Sequence, residues 1–280
     1  MVGVTMTEGI KRILIAVDEN IEENAALRYG VNLAHVIGAE VEVIHIVEEA
    51  LVYPGWGAMV TRTKKEIEKQ QARMDAEINK FRQKLGLEIG VRIREGVSPS
   101  SEILRELDEE GFDLLVVGSH GASAVIEFLL GGISSQIVHQ ASKPVVVVKR
   151  MRDLSKILMC TAGSKCSFRA IRFAAEIAQA ASADVTVLSV SPWNTEDAVN
   201  RAWEYVHAGA EILLEHGLKA KELVRVGKPA EEILGEARKQ DFDLIVMGYL
   251  GTSPVADMLL GEVASKVMHH SLRPTLVFRR

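Results

Sequence analysis

Cysteine is scarce. Cys160 and Cys166 are the only two in 280 residues. The five residues between them do not make a CxxC pair, so no disulfide framework and no thiolate metal or redox motif is expected, and a reducing cytoplasm suits the chain. No run approaches the ~18 consecutive apolar residues of a membrane span. The opening MVGVTMTEG has no basic region followed by an apolar run, so a secretory signal is not expected. No Lys/Arg-rich run or basic stripe occurs, which argues against nucleic acid as a partner. The net charge is −5: residues 1–150 carry 17 Lys and Arg against 22 Asp and Glu, and residues 151–280 carry 16 of each. An anionic ligand would therefore need a local backbone site, because the global field does not attract it. Also missing are GxxxxGK[ST], a GxGxxG after the first strand, and GxSxG. Those absences disfavour a P-loop ATPase, a dinucleotide oxidoreductase and an α/β-hydrolase.

What remains has the ordinary balance of a globular protein, 48% hydrophobic and 25% charged. The length allows one or two domains. An internal repeat decides between them. KRILIAV (11–17) returns as SKILMCT (155–161), and EVEVIHIV (40–47) as DVTVLSV (184–190). GFDLLVVGSHG (111–121) returns as DFDLIVMGYLG (241–251), and KPVVVVKR (143–150) as RPTLVFRR (273–280). Ile13 maps to Ile157, 144 residues on, but Gly118 maps to Gly248, 130 residues on. The first half thus carries 14 extra residues between its second and third strands, assigned to the loop-like EEALVYPGWGAMVTRT.

Each half alternates short Val/Ile/Leu runs with helical segments. Unbroken runs such as ILIAV and PVVVVK suit strands covered on both faces, hence a parallel sheet. Ala26, Tyr29, Leu33, Val36 and Ile37 recur at helical spacing, and a charged helix is expected over Thr63–Leu85. SPSSEILRELDEEG has a Ser-Pro start and a Gly stop. The fold class is α/β: two tandem doubly wound five-stranded parallel-sheet domains, 1–150 and 151–280, with the boundary near Met151–Leu154.

In such sheets ligands sit beyond the C-terminal strand ends, at the switch in strand order. After the fourth strand of the first half come Gly118, Ser119, His120 and Gly121. Nine residues later come Gly131, Gly132, Ile133, Ser134 and Ser135, opening a helix to about His139. Glycines let N–H groups approach a ligand, and a helix N-terminus adds free donors and a positive dipole end, so together they can cradle phosphate without a lysine. Asp18, after the first strand, can accept from a ribose hydroxyl or an adenine amino group. The plainer alternatives are a capping or turn role for Asp18 and ordinary turn chemistry for the glycines.

The pattern strand–Gly-x-x-Gly-x9-Gly-Ser/Thr resembles the nucleotide-binding signature of the universal stress protein family. The resemblance covers nearly the whole chain twice, including Val-Gly-Lys-Pro at 226–229. It implies an adenine nucleotide (ATP, ADP or AMP, with or without Mg) in the first domain, and a cytoplasmic stress-response or regulatory role. It also implies that Ala16 and Asp18 border the adenine and ribose, that Ile46, after His45, packs on the base, and that Val117 touches base or sugar. Gly118, Gly121 and Gly131 would line the phosphates, with backbone help from Gly132 and Ile133. The family's hydroxyl residue is Gly132 here, so Ser134 or Ser135 substitutes or fewer phosphates are held. In the second half Gly248, Gly251 and Gly261 keep the spacing. Ala162 replaces Asp18, however, Glu262 stands at the Ser/Thr position, and Tyr249 is bulky in the turn. That domain is expected to be a degenerate structural partner.

No general base is evident at the phosphate end, so binding is expected rather than turnover, with at most a slow ATPase. A nucleotide-free interaction scaffold is the class alternative. His269 and His270 read as a solvated or interface pair, His120 as a local structural hydrogen-bonder, and Met59 and Met74 as helix-face core. Tyr53 and Trp56 are candidates to cover the pocket or a partner surface. The last strand of each half is apolar and would invite pairing as an edge. The family resemblance implies that dimers form through this strand, so in a tandem chain the halves are expected to pair with each other about a pseudo-two-fold; protein partners and a homodimer of chains are left open.

Overall fold

The computed structural model describes residues 9–48, 64–119, 131–249 and 261–279. The first half runs β1 (Arg12–Val17), α1 (Ala25–Ile37), β2 (Glu40–Glu48), α2 (Lys64–Leu85), β3 (Ile89–Gly96), α3 (Pro99–Glu109), β4 (Leu114–Gly118), α4 (Gly132–Gln140) and β5 (Val145–Val148). The second half repeats it: β6 (Lys156–Cys160), α5 (Lys165–Ala180), β7 (Asp184–Ser191), α6 (Glu196–Glu215), β8 (Ala220–Val226), α7 (Pro229–Lys239), β9 (Leu244–Gly248), α8 (Glu262–His270) and β10 (Thr275–Phe278). The unbroken aliphatic strands are buried on both faces, as all of β5 illustrates. The helix ends follow local chemistry. Pro99 opens α3, and Gly38 closes α1 in the left-handed conformation. Leu85 and Glu215 end equivalent helices 130 residues apart, whereas β1 and β2 lie 144 residues from β6 and β7. The extra residues of the first half therefore fall between Glu48 and Lys64, outside the described residues, as do Tyr53, Trp56 and Met59. Met74 is core.

All ten strands form one sheet, in the order β3-β2-β1-β4-β5-β10-β9-β6-β7-β8. Every pairing is parallel except β5 with β10. That junction obeys the repeat. Val146 faces Leu276, its own counterpart 130 residues on, while Val145 faces Val277 and Val147 faces Thr275. The pseudo-two-fold axis passes through the Val146–Leu276 pair, as in an isologous dimer interface. The last strands are thus central, and β3 and β8 form the outer edges. Helices α1, α2, α5 and α6 pack on one face in a core continuous across both halves, with α1 against α5. Helices α3, α4, α7 and α8 cover the other face. Among the described residues no helix is long and apolar enough to cross a membrane.

The outer edges are secured by charge. Buried Glu106 of α3 pairs with Arg92 and, at 2.6 Å, Arg94 of β3. Its counterpart Glu236 of α7 accepts from Arg225 of β8 at 3.0 and 3.1 Å. Burial pushes the Glu236 carboxyl up, but hydrogen bonds from Gln240 and Arg225 outweigh it and hold the acid below its ordinary value. A depressed folded value means stability that is present above the ordinary glutamate range and lost as pH falls through the folded one. Glu236→Gln should therefore flatten the acid limb of a stability-versus-pH curve measured by urea unfolding; an unchanged limb would exclude this pair as a source of it. At the seam, Leu276→Ala should cost about 2–5 kcal/mol in the same assay, because a fully buried leucine is replaced by a cavity. A loss near zero would show that the junction is not packed.

Candidate functional site

In the first half the strand order reverses between β1 and β4, the two innermost strands of its chain path, so the crevice lies at their C-terminal ends. Ala16 and Val117 are register partners across it, and Ile44 neighbours Ala16 on the other side. Ala16, Ile46 and Val117 lie in one apolar cluster on the sheet face covered by α3 and α4. All three are buried near the C-terminal ends of β1, β2 and β4.

One wall of the crevice is the start of α4. Gly131 is its extended N-cap and offers no side-chain cap. The Gly131 N–H donates to the Ser119 carbonyl at 2.6 Å, and the Ser135 N–H returns to the Gly131 carbonyl at 2.9 Å. Between them the N–H groups of Gly132, Ile133 and Ser134 have no partner among the described residues. They are the free donors of a helix N-terminus, at its positive end. Gly132 is exposed, and a Cβ there would meet nothing within 4 Å. Ser134 is placed differently from a phosphate-binding hydroxyl. It is buried, and its Oγ donates to the Gly118 carbonyl at 2.5 Å, so its proton braces the first turn of α4 to the end of β4. What Ser134 offers a ligand is its backbone N–H. Gly121 and His120 lie outside the described residues.

The other wall is the turn after β1. Asp18 is half-buried, and its Oδ1 accepts from the Asn20 N–H and from Asn24 Nδ2, both at 3.1 Å. The helix cap is Asn24, not Asp18: Asn24 Oδ1 accepts from Leu27 N–H at 2.9 Å. Asp18 is thus an Asx-type turn residue that also holds the cap, with both protein hydrogen bonds on one oxygen. His45, buried at the end of β2, is pinned between the Val17 carbonyl (3.0 Å) and Gln70 of α2 (2.7 Å). Sequence reading passed over Asn24 and Gln70. The signal for Asn24 was an Asn directly before the first apolar helical residue; Gln70 had none, since only the packing of α2 over β2 brings it there. Asn24→Ala should cost about 1 kcal/mol in thermal unfolding from the lost cap and should release Asp18; a stability equal to wild type would refute this linkage.

The second half differs residue by residue. Helix α5 starts only a few residues after β6, capped by Ser164, where the first half has instead a short 3-10 turn over Ile21–Glu23 before α1. Its first turn lies so close to β9 that a Cβ on Gly248 would come 2.8 Å from the Ser167 nitrogen. That glycine therefore has a packing reason to be there, without any ligand. Tyr205 of α6 lies against Gly163, whose φ is +76°, beside Ala162 at the end of β6. Glu262 at the start of α8 is exposed and paired with Lys266 at 2.6 Å, so its charge is partly answered by its own helix. Tyr249 does not fill the second crevice. Its ring is buried and turned to the seam, where its hydroxyl donates to the His139 carbonyl at 3.4 Å. His269 and Lys149 meet at the same seam, with Lys149 donating to the His269 carbonyl.

Comparison with known proteins agrees with this architecture. The model of the universal stress protein family matches residues 9–149 and again 154–279. A universal stress protein of Mycolicibacterium smegmatis is 26% identical over 287 residues, covering 95% of this chain and 96% of that one. One of Mycobacterium tuberculosis is 24% identical over 294 residues, covering 96% and 97%. Among solved structures, a universal stress protein of Archaeoglobus fulgidus aligns with 97% of this chain and 97% of its own at a TM-score of 0.66 and 19% identity. With a matching domain in each half and the doubly wound sheet that each requires, the chain belongs to the universal stress protein family, as a tandem member.

Proposed function

We propose that the first half binds an adenine nucleotide and that the chain acts as a cytoplasmic stress-response or regulatory protein through that ligand. The observation that carries this is the start of α4, where a glycine N-cap leaves three adjacent N–H groups without a partner among the described residues, beside Gly118 at the strand-order switch. Phosphate is the anion such a terminus suits. The apolar side chains of Ala16, Ile46 and Val117 would take the base, and Asp18 a ribose or adenine donor, with its less occupied carboxylate oxygen. Gly118, Gly131, Gly132, Ile133 and the Ser134 N–H would hold phosphate, together with Gly121 by its place in the motif.

The first turn of α4 carries no acidic side chain, and the Ser134 hydroxyl in it is bound to the Gly118 carbonyl. Neither supplies a general base there, which favours binding over hydrolysis. Among the described residues no group of three His, Cys, Asp or Glu side chains could hold a metal ion, so any Mg would be brought by the phosphates. The second half would serve as a structural partner, its crevice lined by Ala162, Tyr205 and Glu262. Further assembly would use other surfaces, since β5 and β10 already pair within the chain.

Heating the purified protein and identifying released small molecules by mass spectrometry tests the reading. About one equivalent of AMP, ADP or ATP is expected from wild type and none from Asp18→Ala. Gly132→Glu copies the second half's residue into open space. It should weaken ATP at least about tenfold in calorimetric titration while leaving thermal stability unchanged or slightly raised, because a carboxylate suits a helix N-terminus. No released nucleotide, with no thermal shift on adding ATP or AMP, would favour a nucleotide-free scaffold. Steady phosphate release from ATP would instead favour a slow hydrolase.

A further inference from the structure

The far end of α4 is held by the other half of the chain. Arg279, just after β10, donates through Nη1 to the His139 carbonyl and, at 3.4 Å, to the carbonyl of Ala141, the C-cap of α4. Its guanidinium stands 4.6 Å from the centre of the Tyr249 ring. Tyr249 directly follows Gly248 and so belongs to the second half's own glycine motif. Its N–H donates to the Phe278 carbonyl at 2.6 Å, and its carbonyl receives the Gly261 N–H, the N-cap of α8, at 2.9 Å. The phenol reaches His139 only at 3.4 Å, beyond the usual O–H···O range. The ring therefore works chiefly as a platform that aims Arg279 at the helix end.

The reverse link is poorer. Lys149, the counterpart of Arg279, donates to the His269 carbonyl of α8. Ser119, however, stands where Tyr249 does and provides no ring. An ammonium is a point donor, whereas a guanidinium is a planar fork that can bridge two carbonyls. The second half thus holds the C-terminus of α4 through a guanidinium seated on a ring, a combination that Lys149 and Ser119 do not repeat. A helix of nine residues is roughly 13 Å long and moves as a rod, so what fixes its C-terminus also sets where its N-terminus stands.

We propose that Tyr249 and Arg279 are positioning residues for the phosphate end of the first half's site, acting across the pseudo-two-fold through the α4 helix. The proposal rests on the nucleotide reading above and gives the second half a role other than ligand binding: its glycine motif, turned from a ligand to a neighbour, holds the donors of the first. A residue acting this way changes contacts to phosphate and leaves those to the nucleoside.

The test titrates ATP and adenosine separately into wild type, Tyr249→Phe, Tyr249→Ser and Arg279→Gln, and follows amide hydrogen exchange over residues 132–140 in the ligand-free proteins. Arg279→Gln and Tyr249→Ser should weaken ATP roughly five- to tenfold and leave adenosine within about twofold, while Tyr249→Phe stays near wild type. Exchange in α4 should speed up in the first two variants. Arg279→Gln leaves the core side chains intact, so it stands if Tyr249→Ser fails to fold. ATP and adenosine weakening together would overturn the proposal as general destabilisation, and so would unchanged ATP affinity with unchanged exchange. Wild type binding neither ligand would overturn the nucleotide reading and this proposal's phosphate with it. The exchange measurement, which needs no ligand, tells that failure from a loose helix.

Discussion

The antiparallel pairing of β5 with β10 is the contact on which the rest of this structure depends. Each is the last strand of its half, four residues long, and wholly apolar in β5. Left alone, either would present unpaired backbone groups and aliphatic side chains at an edge, which is costly and invites aggregation. Pairing them removes both edges at once and sets the pseudo-two-fold at Val146 and Leu276. The sheet then grows outward from the seam in both directions and ends at β3 and β8, strands carrying arginines matched to buried glutamates. Central aliphatic strands and charged outer ones are the distribution expected when only the outer pair meets water.

The same junction makes the halves unequal partners. The repeat begins as two copies of one unit, yet residues at equivalent positions have separate tasks. Ser119 is a buried residue whose carbonyl receives the Gly131 N–H, while Tyr249 adds to the equivalent backbone bond a buried ring at the seam. Gly132 leaves open space at a helix start, while Glu262 places a paired carboxylate there. Glycine persists at 248 because α5 comes so near, a reminder that a retained glycine can answer packing rather than ligand. Fusion in one chain permits such differences, because each half still supplies its last strand to the seam.

Much of this was legible in the sequence. The duplication, the strand and helix order and the parallel character of each half follow from the internal repeat and aliphatic periodicity, and the pairing of the last strands from the family resemblance. Chain order put Gly118 and the Gly131–Ser134 stretch at a strand end and a helix start, while Ala16, Ile46 and Val117 were singled out by the family resemblance. It did not reveal that Asn24 is the cap and Asp18 its brace, that Ser134 donates to Gly118, or that Gln70 seats His45. Each of those depends on a distance between segments distant in the chain or on a rotamer, and neither has a periodicity to read.

The sequence by itself determined the class of the fold, its duplication, the family and the segments from which a site could be built, because hydrophobic pattern and glycine spacing are local properties that survive any arrangement of side chains. The tertiary structure alone decided what those segments do to one another. It turned Tyr249 from an obstruction into a neighbour of the seam, matched each buried glutamate to its arginines, and left the three donors of α4 without a partner among the described residues. Those outcomes turn on directions and distances of a few ångströms, which exist only once the two halves have been brought together.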